Sequence, residues 1–457
     1  MPDYWQKGPD PVKHRIPRSV TFHRSPPRDA SNGLRTRTEH KGGEASRGRL
    51  PAGYQAWLAA ALVSRVGDAA LYFALGWAAS AHGGRAAGQV ITAIVAPRTL
   101  LLLVGGAVGD RIGARPIMII GDAVLLVATC GLAVAVPLVG TPLWLLLASA
   151  SALGTVTAFY FPAAGAMPRR LVDGAQLPRA LALRQAGSQL ADLTGGPLGG
   201  LLVGVAGLAA TAGLDAVSYA VVLVALVAVR PTRPAPRETG RASLTREAAS
   251  GVRMAFADPV LRVMLLLAAV AAGAVLPASS LLLPLLLRHH GWRPAVGGLT
   301  LGAQSLGGVV VALAVSRFGT RRRAGRVAAA GLMVTAGGVG LLAVAPSPAP
   351  AVAAGAVLGA GVGLFTSHMA PLMFSSAPDT HLSRVQAVLN IVQSTALVVT
   401  TPTLGVAAQR FGAPIATAAC AAVVLVAAFI AAASPSLRNL DTEGPDPSIV
   451  QRTTKGP

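Results

Sequence analysis

The 457-residue sequence predicts an all-α polytopic membrane protein, with about twelve transmembrane helices in two pseudo-repeated six-helix bundles. Three observations carry that fold class. Hydrophobic residues make up 53% of the chain and charged residues only 12%, for a mean hydropathy of +0.58, which is more apolar surface than a soluble core of this length would bury. From Tyr54 onward, apolar stretches of about 20 residues alternate with short connectors, and at ~1.5 Å per helical residue each covers a hydrocarbon core of ~30 Å. The third observation is an internal repeat. Gln185, Ser188, Gln189 and Pro197 correspond to Asn390, Gln393, Ser394 and Pro402, each 205 positions later (390 − 185 = 205). Arg111, Gly113 and Arg115 correspond to Arg317, Gly319 and Arg321 at an offset of 206 (317 − 111 = 206). Two separate segments that agree on nearly one offset point to a duplicated unit.

Taken in order, residues 1–53 are rich in Pro, Arg, Ser and Gly without apolar periodicity, and are expected to form a disordered basic cytoplasmic tail. No apolar signal-peptide region precedes Tyr54. The first bundle, 54–230, contains runs at about 55–80, 87–109, 116–138, 142–164, 179–205 and 208–229. A basic connector, 231–258, is the cytoplasmic linker between the halves. The second bundle, 259–434, contains runs at about 260–287, 295–316, 325–345, 350–373, 385–408 and 413–434, followed by a second disordered cytoplasmic tail, 435–457. Cys130 and Cys420 fall inside apolar runs without metal-ligand spacing and read as small buried hydrophobes.

The formal charge of +21 would suggest nucleic acid in a soluble protein. Here the basic residues lie mostly in the tail and the connectors, so lipid headgroups are the expected neighbours and nucleic acid is not an expected partner. With the tail cytoplasmic, the inside connectors carry Arg111, Arg115, Arg169, Arg170, the series from Arg230 to Arg253, Arg317, Arg321 and Arg384. The outside connectors are poorer, with Arg85, Arg288, Arg293 and Arg410 as the main exceptions. An even number of crossings then places both termini in the cytoplasm of a multi-pass cell-membrane protein.

Charges at membrane depth cost roughly 2.5 to 3.5 kcal/mol each on insertion scales, so they point to function. Arg65, Asp68 and Arg98 all fall near mid-membrane and are expected to find one another, with Arg65 and Asp68 an i,i+3 pair on one helix face. That cluster is either a neutralised structural contact or a switch through which Asp68 exchanges a proton. Gln185, Ser188, Gln189 and Asp192 form a polar stripe at i, i+3, i+4 and i+7, which must face a cavity or another helix. Asp192 has no basic residue one turn away, since Arg184 is two turns back, and ranks slightly above Asp68 as a proton carrier; Arg65, Arg98 and Arg184 are the expected buried charge partners. At the 205 offset Asp68 meets Gly273 and Asp192 meets Leu397, so titration would belong to the first half. The eleventh run offers neutral groups, Asn390, Gln393 and Ser394, as substrate-pathway candidates. Trp77, Trp144 and Phe159-Tyr160-Phe161 are further possible lining residues, or interfacial anchors. Gly195, Gly196, Pro197, Gly199 and Gly200 combine small-residue spacing with a kink-prone proline, and Pro402 repeats the proline.

The loop Gly106-Ala-Val-Gly-Asp110-Arg111-Ile-Gly113-Ala-Arg115 resembles the G-x-x-x-D-R-x-G-R-R/K loop of the major facilitator superfamily, with Ala114 at the usual second basic position. The resemblance implies a secondary transporter in which Gly106, Asp110, Arg111, Gly113 and Arg115 form a cytoplasmic gate. Ser64-Arg65-Val-Gly67-Asp68, Pro97-Arg98, Leu177-Pro178-Arg179-Ala180 through Arg184-Gln185, and Asp215-Ala216-Val-Ser218-Tyr219 look like the branch holding macrolide-efflux proteins and the enterobactin exporter. By that analogy Asp122 and Asp215 are structural partners near helix ends. The Gly-Pro segment of the fifth run is similar to the antiporter motif of this superfamily and favours export.

The expected function is proton-coupled export of a small amphipathic molecule (drug, siderophore or secondary metabolite) by alternating access, in a monomer. A metabolite importer and a non-transporting receptor or scaffold are the alternatives. An enzyme is not expected, because most histidines lie in the tail or connectors and only His368 sits well inside a helix. No cofactor or metal follows from the sequence.

Overall fold

Apolar stretches separated by glycine and proline fold into helices that stop where those residues stop them. The computed structural model describes residues 49–229, 258–319, 324–375 and 382–434. The expected tails and linker fall largely outside the described residues. In chain order the helices are α1 (Ala52–Ser80), α2 (Gly84–Ile112), α3 (Ala114–Val139), α4 (Leu143–Leu171), α5 (177–206), α6 (208–228), α7 (Pro259–His289), α8 (Pro294–Phe318), α9 (Ala324–Ala343), α10 (Pro348–Ser375), α11 (Leu382–Phe411) and α12 (Ala413–Ala433). No strand occurs among the described residues.

Among the described residues, ten helices are long and apolar enough to cross a membrane. One of them, Gly174–Ala228, spans 55 residues and contains both α5 and α6, and α2 is a further helix of 29 residues outside the ten. Dividing the long helix and adding α2 accounts for the twelve helical segments among the described residues. Several run past the expected apolar limits. Arg111 lies in the last turn of α2, Arg169 and Arg170 in that of α4, and Arg317 in that of α8. Cations complement the partial negative charge of a helix C-terminus, so basic residues extend helices that hydropathy alone would end earlier.

The α5–α6 junction is a single glycine. Gly207 has φ +76 and ψ −175 inside otherwise helical backbone, a conformation that a side chain would strain. Contacts with α1 show that the chain reverses there. Gly187, Gly195 and Gly199 meet Leu62, Ala69 and Ala70, so α5 runs parallel to α1; Asp215 and Val229 meet Gly67 and Gly53, so α6 runs back. The end where α1 begins is called here the tail end, and the opposite one the far end. At the start of α7, Asp258 caps the helix by accepting from the backbone N–H groups of Val260 (2.7 Å) and Leu261 (2.9 Å), and Pro259 occupies a position where no intrahelical donor is needed.

Within the first half, α1 packs on α5 and α6, and α2 on α4; within the second, α8 and α9 pack on α10, and α9 on α12. Small residues set these crossings. A Cβ built on Gly154 would lie 2.2 Å from the Ile94 carbonyl oxygen, and one on Gly307 2.2 Å from that of Ala356. The α2–α4 and α8–α10 crossings are thus made alike in the two halves. The outer faces carry large apolar side chains such as Leu138 (77% exposed) and Val205 (82%), the surface a bilayer covers.

The α1–α6 contact is tight enough to test. A Cβ on Gly67 would lie 2.3 Å from Asp215 Oδ1 and 2.9 Å from Ser218 Oγ. Gly67→Ala is expected to destabilise the protein by about 1 to 3 kcal/mol, as overpacking does, seen as a lower unfolding midpoint in detergent; an unchanged midpoint would mean that α1 and α6 separate freely.

Candidate functional site

Two cross-half contacts close the far end. A Cβ on Gly298 of α8 would lie 2.8 Å from the Gly196 carbonyl oxygen and 3.0 Å from Cα of both Pro197 and Gly200 on α5. On the other side of the molecule, a Cβ on Gly88 of α2 would lie 2.9 Å from the Thr401 carbonyl oxygen, 3.1 Å from Gly405 Cα and 3.5 Å from Pro402 Cα on α11. Gly196, Pro197 and Gly200 match Thr401, Pro402 and Gly405 at the 205 offset (401 − 196 = 205). One junction has therefore been built twice. In α5 the glycines divide by face: Gly195 and Gly199 seat α1 of the same half, and Gly196 and Gly200 seat α8 of the other.

Polar groups fasten the same end. Arg288 of α7 donates from Nε to Ser80 Oγ (2.6 Å) and from Nη2 to the Trp77 carbonyl (2.9 Å), while its guanidinium lies 4.2 Å above the Trp77 ring centre. Those acceptors belong to the last turn of α1, where a cation is favoured. The backbone N–H of Gly84 donates to Gln409 Oε1 (2.8 Å), and Thr92 and Thr401 share a hydroxyl hydrogen bond of 2.8 Å. Towards the tail end the halves part. Gly297, Gly298, Thr300 and Gly302 of α8 are buried, but Leu306, Val310 and Leu313 are exposed, as are Leu181, Leu183, Gln185 and Gln189 of α5.

At mid-depth a cavity of about 330 Å³ is lined by α1 (Arg65, Asp68, Ala69, Tyr72), α2 (Arg98), α4 (Thr157, Tyr160, Phe161, Ala164) and α5 (Asp192). The charges pair differently from the sequence expectation. Arg65 Nη2 donates to Asp192 Oδ2 at 2.9 Å, with the two side chains 46% and 41% exposed. Asp68 accepts instead from the Tyr219 hydroxyl of α6. Arg98 joins neither acid and lies 5.4 Å above the Phe161 ring centre. The expected Arg65–Asp68–Arg98 cluster is thus corrected. Spacing of i,i+3 puts Arg65 and Asp68 on neighbouring parts of α1, but the long arginine reaches α5 while the short aspartate stays beside α6. Asp192, expected to lack a basic neighbour, has one from another helix. Arg184 donates to the Ala164 carbonyl (3.0 Å), so its partner is a helix backbone and not a carboxylate.

The rest of the polar stripe does not line this cavity. Gln185 and Gln189 are exposed and Ser188 is half-buried. On α11, Asn390 accepts from Gln386 (3.4 Å), and Gln393 and Ser394 are half-buried, none of them lining the cavity. Asp122 and Asp215 are each 1% exposed. Tyr160 donates to Asp122 (3.4 Å) and Ser218 to Asp215 (3.0 Å), and Asp215 sits mid-helix in α6, against the expectation of a helix end.

In the α2–α3 loop, Gly113 turns the chain with φ +95, as its repeat partner Gly319 ends α8 with φ +75. Arg115 donates to the Leu226 (3.0 Å) and Val227 (3.0 Å) carbonyls, capping α6, and Arg111 is exposed. Gly106 and Asp110 lie within α2, and their side-chain positions fall outside the described residues. Trp77 serves the Arg288 contact and Trp144 is exposed; of the aromatic run, Tyr160 and Phe161 reach the cavity. His368 is buried in α10, where its Nδ1 meets the Leu364 carbonyl (3.0 Å). No group of three or more His, Cys, Asp or Glu among the described residues is placed to hold a metal.

Sequence reasoning missed Tyr219 as the partner of Asp68 and Arg288 as the far-end fastening. Arg288 had left a signal, being a basic residue on the side expected to be poor in them.

The family profile of the Major Facilitator Superfamily matches residues 57–399. The chain belongs to the major facilitator superfamily. Among related proteins, the multidrug efflux pump Tap of Mycolicibacterium fortuitum is 26% identical over 282 residues, 58% of this chain and 68% of Tap. Of solved structures, the nucleoside transporter NupG is similar with a TM-score of 0.67 at 12% identity, covering 83% of this chain and 98% of NupG. A POT family transporter in complex with 5-aminolevulinic acid is similar with a TM-score of 0.65 at 12% identity, covering 83% of this chain and 95% of that one. These structures share the fold. The superfamily assignment makes the chain a multi-pass membrane transporter of small molecules and not an enzyme.

Proposed function

We propose that this transporter exports a small amphipathic molecule against proton entry, by alternating access in the cell membrane. One observation carries the reading: a charged mid-depth cavity lies beside helices that part at the tail end, while two repeated glycine crossings shut the far end. The concentration of basic residues in the tail-end connectors supports a cytoplasmic tail end, twelve crossings and cytoplasmic termini. In that orientation the chain is in its inward-facing state, loading from the cytoplasm. Export as the direction is supported by the Gly-Pro segment of α5 and by similarity to an efflux pump.

Asp192 and Asp68 are the proton-coupling pair in this reading. Arg65 reaches Asp192 and stands one turn from Asp68, so a single guanidinium serves two carboxylates on two helices. Asp68, which has only a neutral phenol as its direct partner, is the better proton carrier of the two. Rocking of the halves would change which acid Arg65 faces and release the proton to the other side. Gln185, Ser188 and Gln189 on α5 and Asn390, Gln393 and Ser394 on α11 flank the route from the tail end to the cavity.

The test is lumenal pH in inverted vesicles carrying the protein, during addition of macrolides, siderophores and lipophilic cations. Proton release coupled to one compound supports antiport. Flux of a compound without proton movement removes the coupling, and compound-driven proton movement of the opposite sign makes the protein an importer.

A further inference from the structure

Two of the four charges in the cavity cancel, and two do not. Arg65 and Asp192 form a 2.9 Å ion pair. Arg98 lines the same cavity, is exposed to it, and has no acidic partner among the described residues; its contact is the face of Phe161. Asp68 lines the cavity as well and has the Tyr219 hydroxyl in place of a cation. Arg98 and Asp68 do not pair with each other. A membrane protein keeps such a separated pair only at a cost, since each charge at this depth costs roughly 2.5 to 3.5 kcal/mol on insertion scales. Apart from Thr157, the rest of the wall is aromatic and apolar: Ala69, Tyr72, Tyr160, Phe161 and Ala164. At about 330 Å³ the space is at the small end of the range for drug-sized ligands.

We infer that the cavity recognises a zwitterionic aromatic molecule, whose acidic group pairs with Arg98, whose amine pairs with Asp68, and whose ring lies against Phe161. The inference rests on the transport reading above and names its substrate class. An amine on Asp68 occupies the carboxylate that the proton would occupy, so binding and protonation exclude one another, as exchange requires. A purely anionic ligand would leave Asp68 unmatched, and a purely cationic one would leave Arg98 so.

Equilibrium binding to purified protein in nanodiscs tests this without requiring transport. The probes are ε-dansyl-lysine, its methyl ester, which keeps only the amine, and its Nα-acetyl derivative, which keeps only the acid. The zwitterion is expected to bind at least tenfold tighter than either derivative. Arg98→Gln should weaken the zwitterion and the acid but leave the ester unchanged, and Arg98→Lys should restore most of the loss, which excludes misfolding as the cause. Asp68→Asn should weaken the zwitterion and the ester but leave the acid unchanged. Equal affinity for the three probes, no binding of any, or an equal effect of Arg98→Gln on all would overturn the inference. Selective binding without proton-coupled flux in vesicles would keep it and sink the export reading, whereas coupled flux with unselective binding would do the reverse.

Discussion

Gly298→Val is expected to reduce uphill transport about fivefold or more and to hold the protein with its far end open. The atoms that an added side chain would meet are backbone: the Gly196 carbonyl oxygen at 2.8 Å and Cα of Pro197 and Gly200 at 3.0 Å. Backbone within two helices has no rotamer by which to give way, so α5 and α8 must separate. Overpacking costs about 1 to 3 kcal/mol. Here that cost falls only on the state in which the crossing is closed, so it becomes a shift of about 5- to 150-fold in the balance between conformations. Labelling of Thr401→Cys, placed at the opposite α2–α11 crossing and 0% exposed, reports the opening at a site the substitution does not touch. The background replaces Cys130 and Cys420 by Ser. Gly88→Val, at the repeated crossing, should act alike. Wild-type transport with Thr401→Cys still shielded would show that these crossings do not govern access.

Asp192→Asn should likewise lower uphill transport by an order of magnitude or more while the protein still reaches the membrane. Two effects contribute. Arg65 loses the acid that neutralises it at 2.9 Å, and the exchange between the two carboxylates loses one of its stations. The double exchange Arg65→Asp with Asp192→Arg separates them. It restores an ion pair between α1 and α5 but moves the carboxylate to another helix. Recovery of proton-coupled flux in the double variant would assign the pair a structural role and leave Asp68 as the carrier; normal protein yield without flux is the expected result. Full activity of Asp192→Asn alone would remove Asp192 from the mechanism.

The superfamily loop was legible because its residues are contiguous, and the helices were legible because a bilayer imposes length and apolarity on any crossing. Even the duplicated crossings were visible in outline, since Pro197 and Pro402 share the 205 offset that relates the two junctions. The opposing glycines, Gly88 and Gly298, are not legible in the sequence, because a single glycine among 52 carries no pattern. The substrate-pathway candidates on α5 and α11 were chosen by helical periodicity. Periodicity says that side chains share a face, but α4 and α1 supply most of the cavity wall, and no spacing along α5 announces them.

The sequence by itself determined the class of protein, its long apolar helices, the repeated residues at one offset, and the confinement of Asp68 and Asp192 to the first half. Only the tertiary structure decided which charges meet. Arg65 and Asp68 are three residues apart, yet Arg65 pairs with Asp192, 127 positions away, and Asp68 bonds to Tyr219, 151 positions away. The physical reason is reach: spacing along a helix sets the direction in which a side chain leaves it, whereas its partner depends on which neighbouring helix stands within the length of that side chain. Glycine contacts of α1 with α5 and α6 set that distance, and they exist only once the helices have packed.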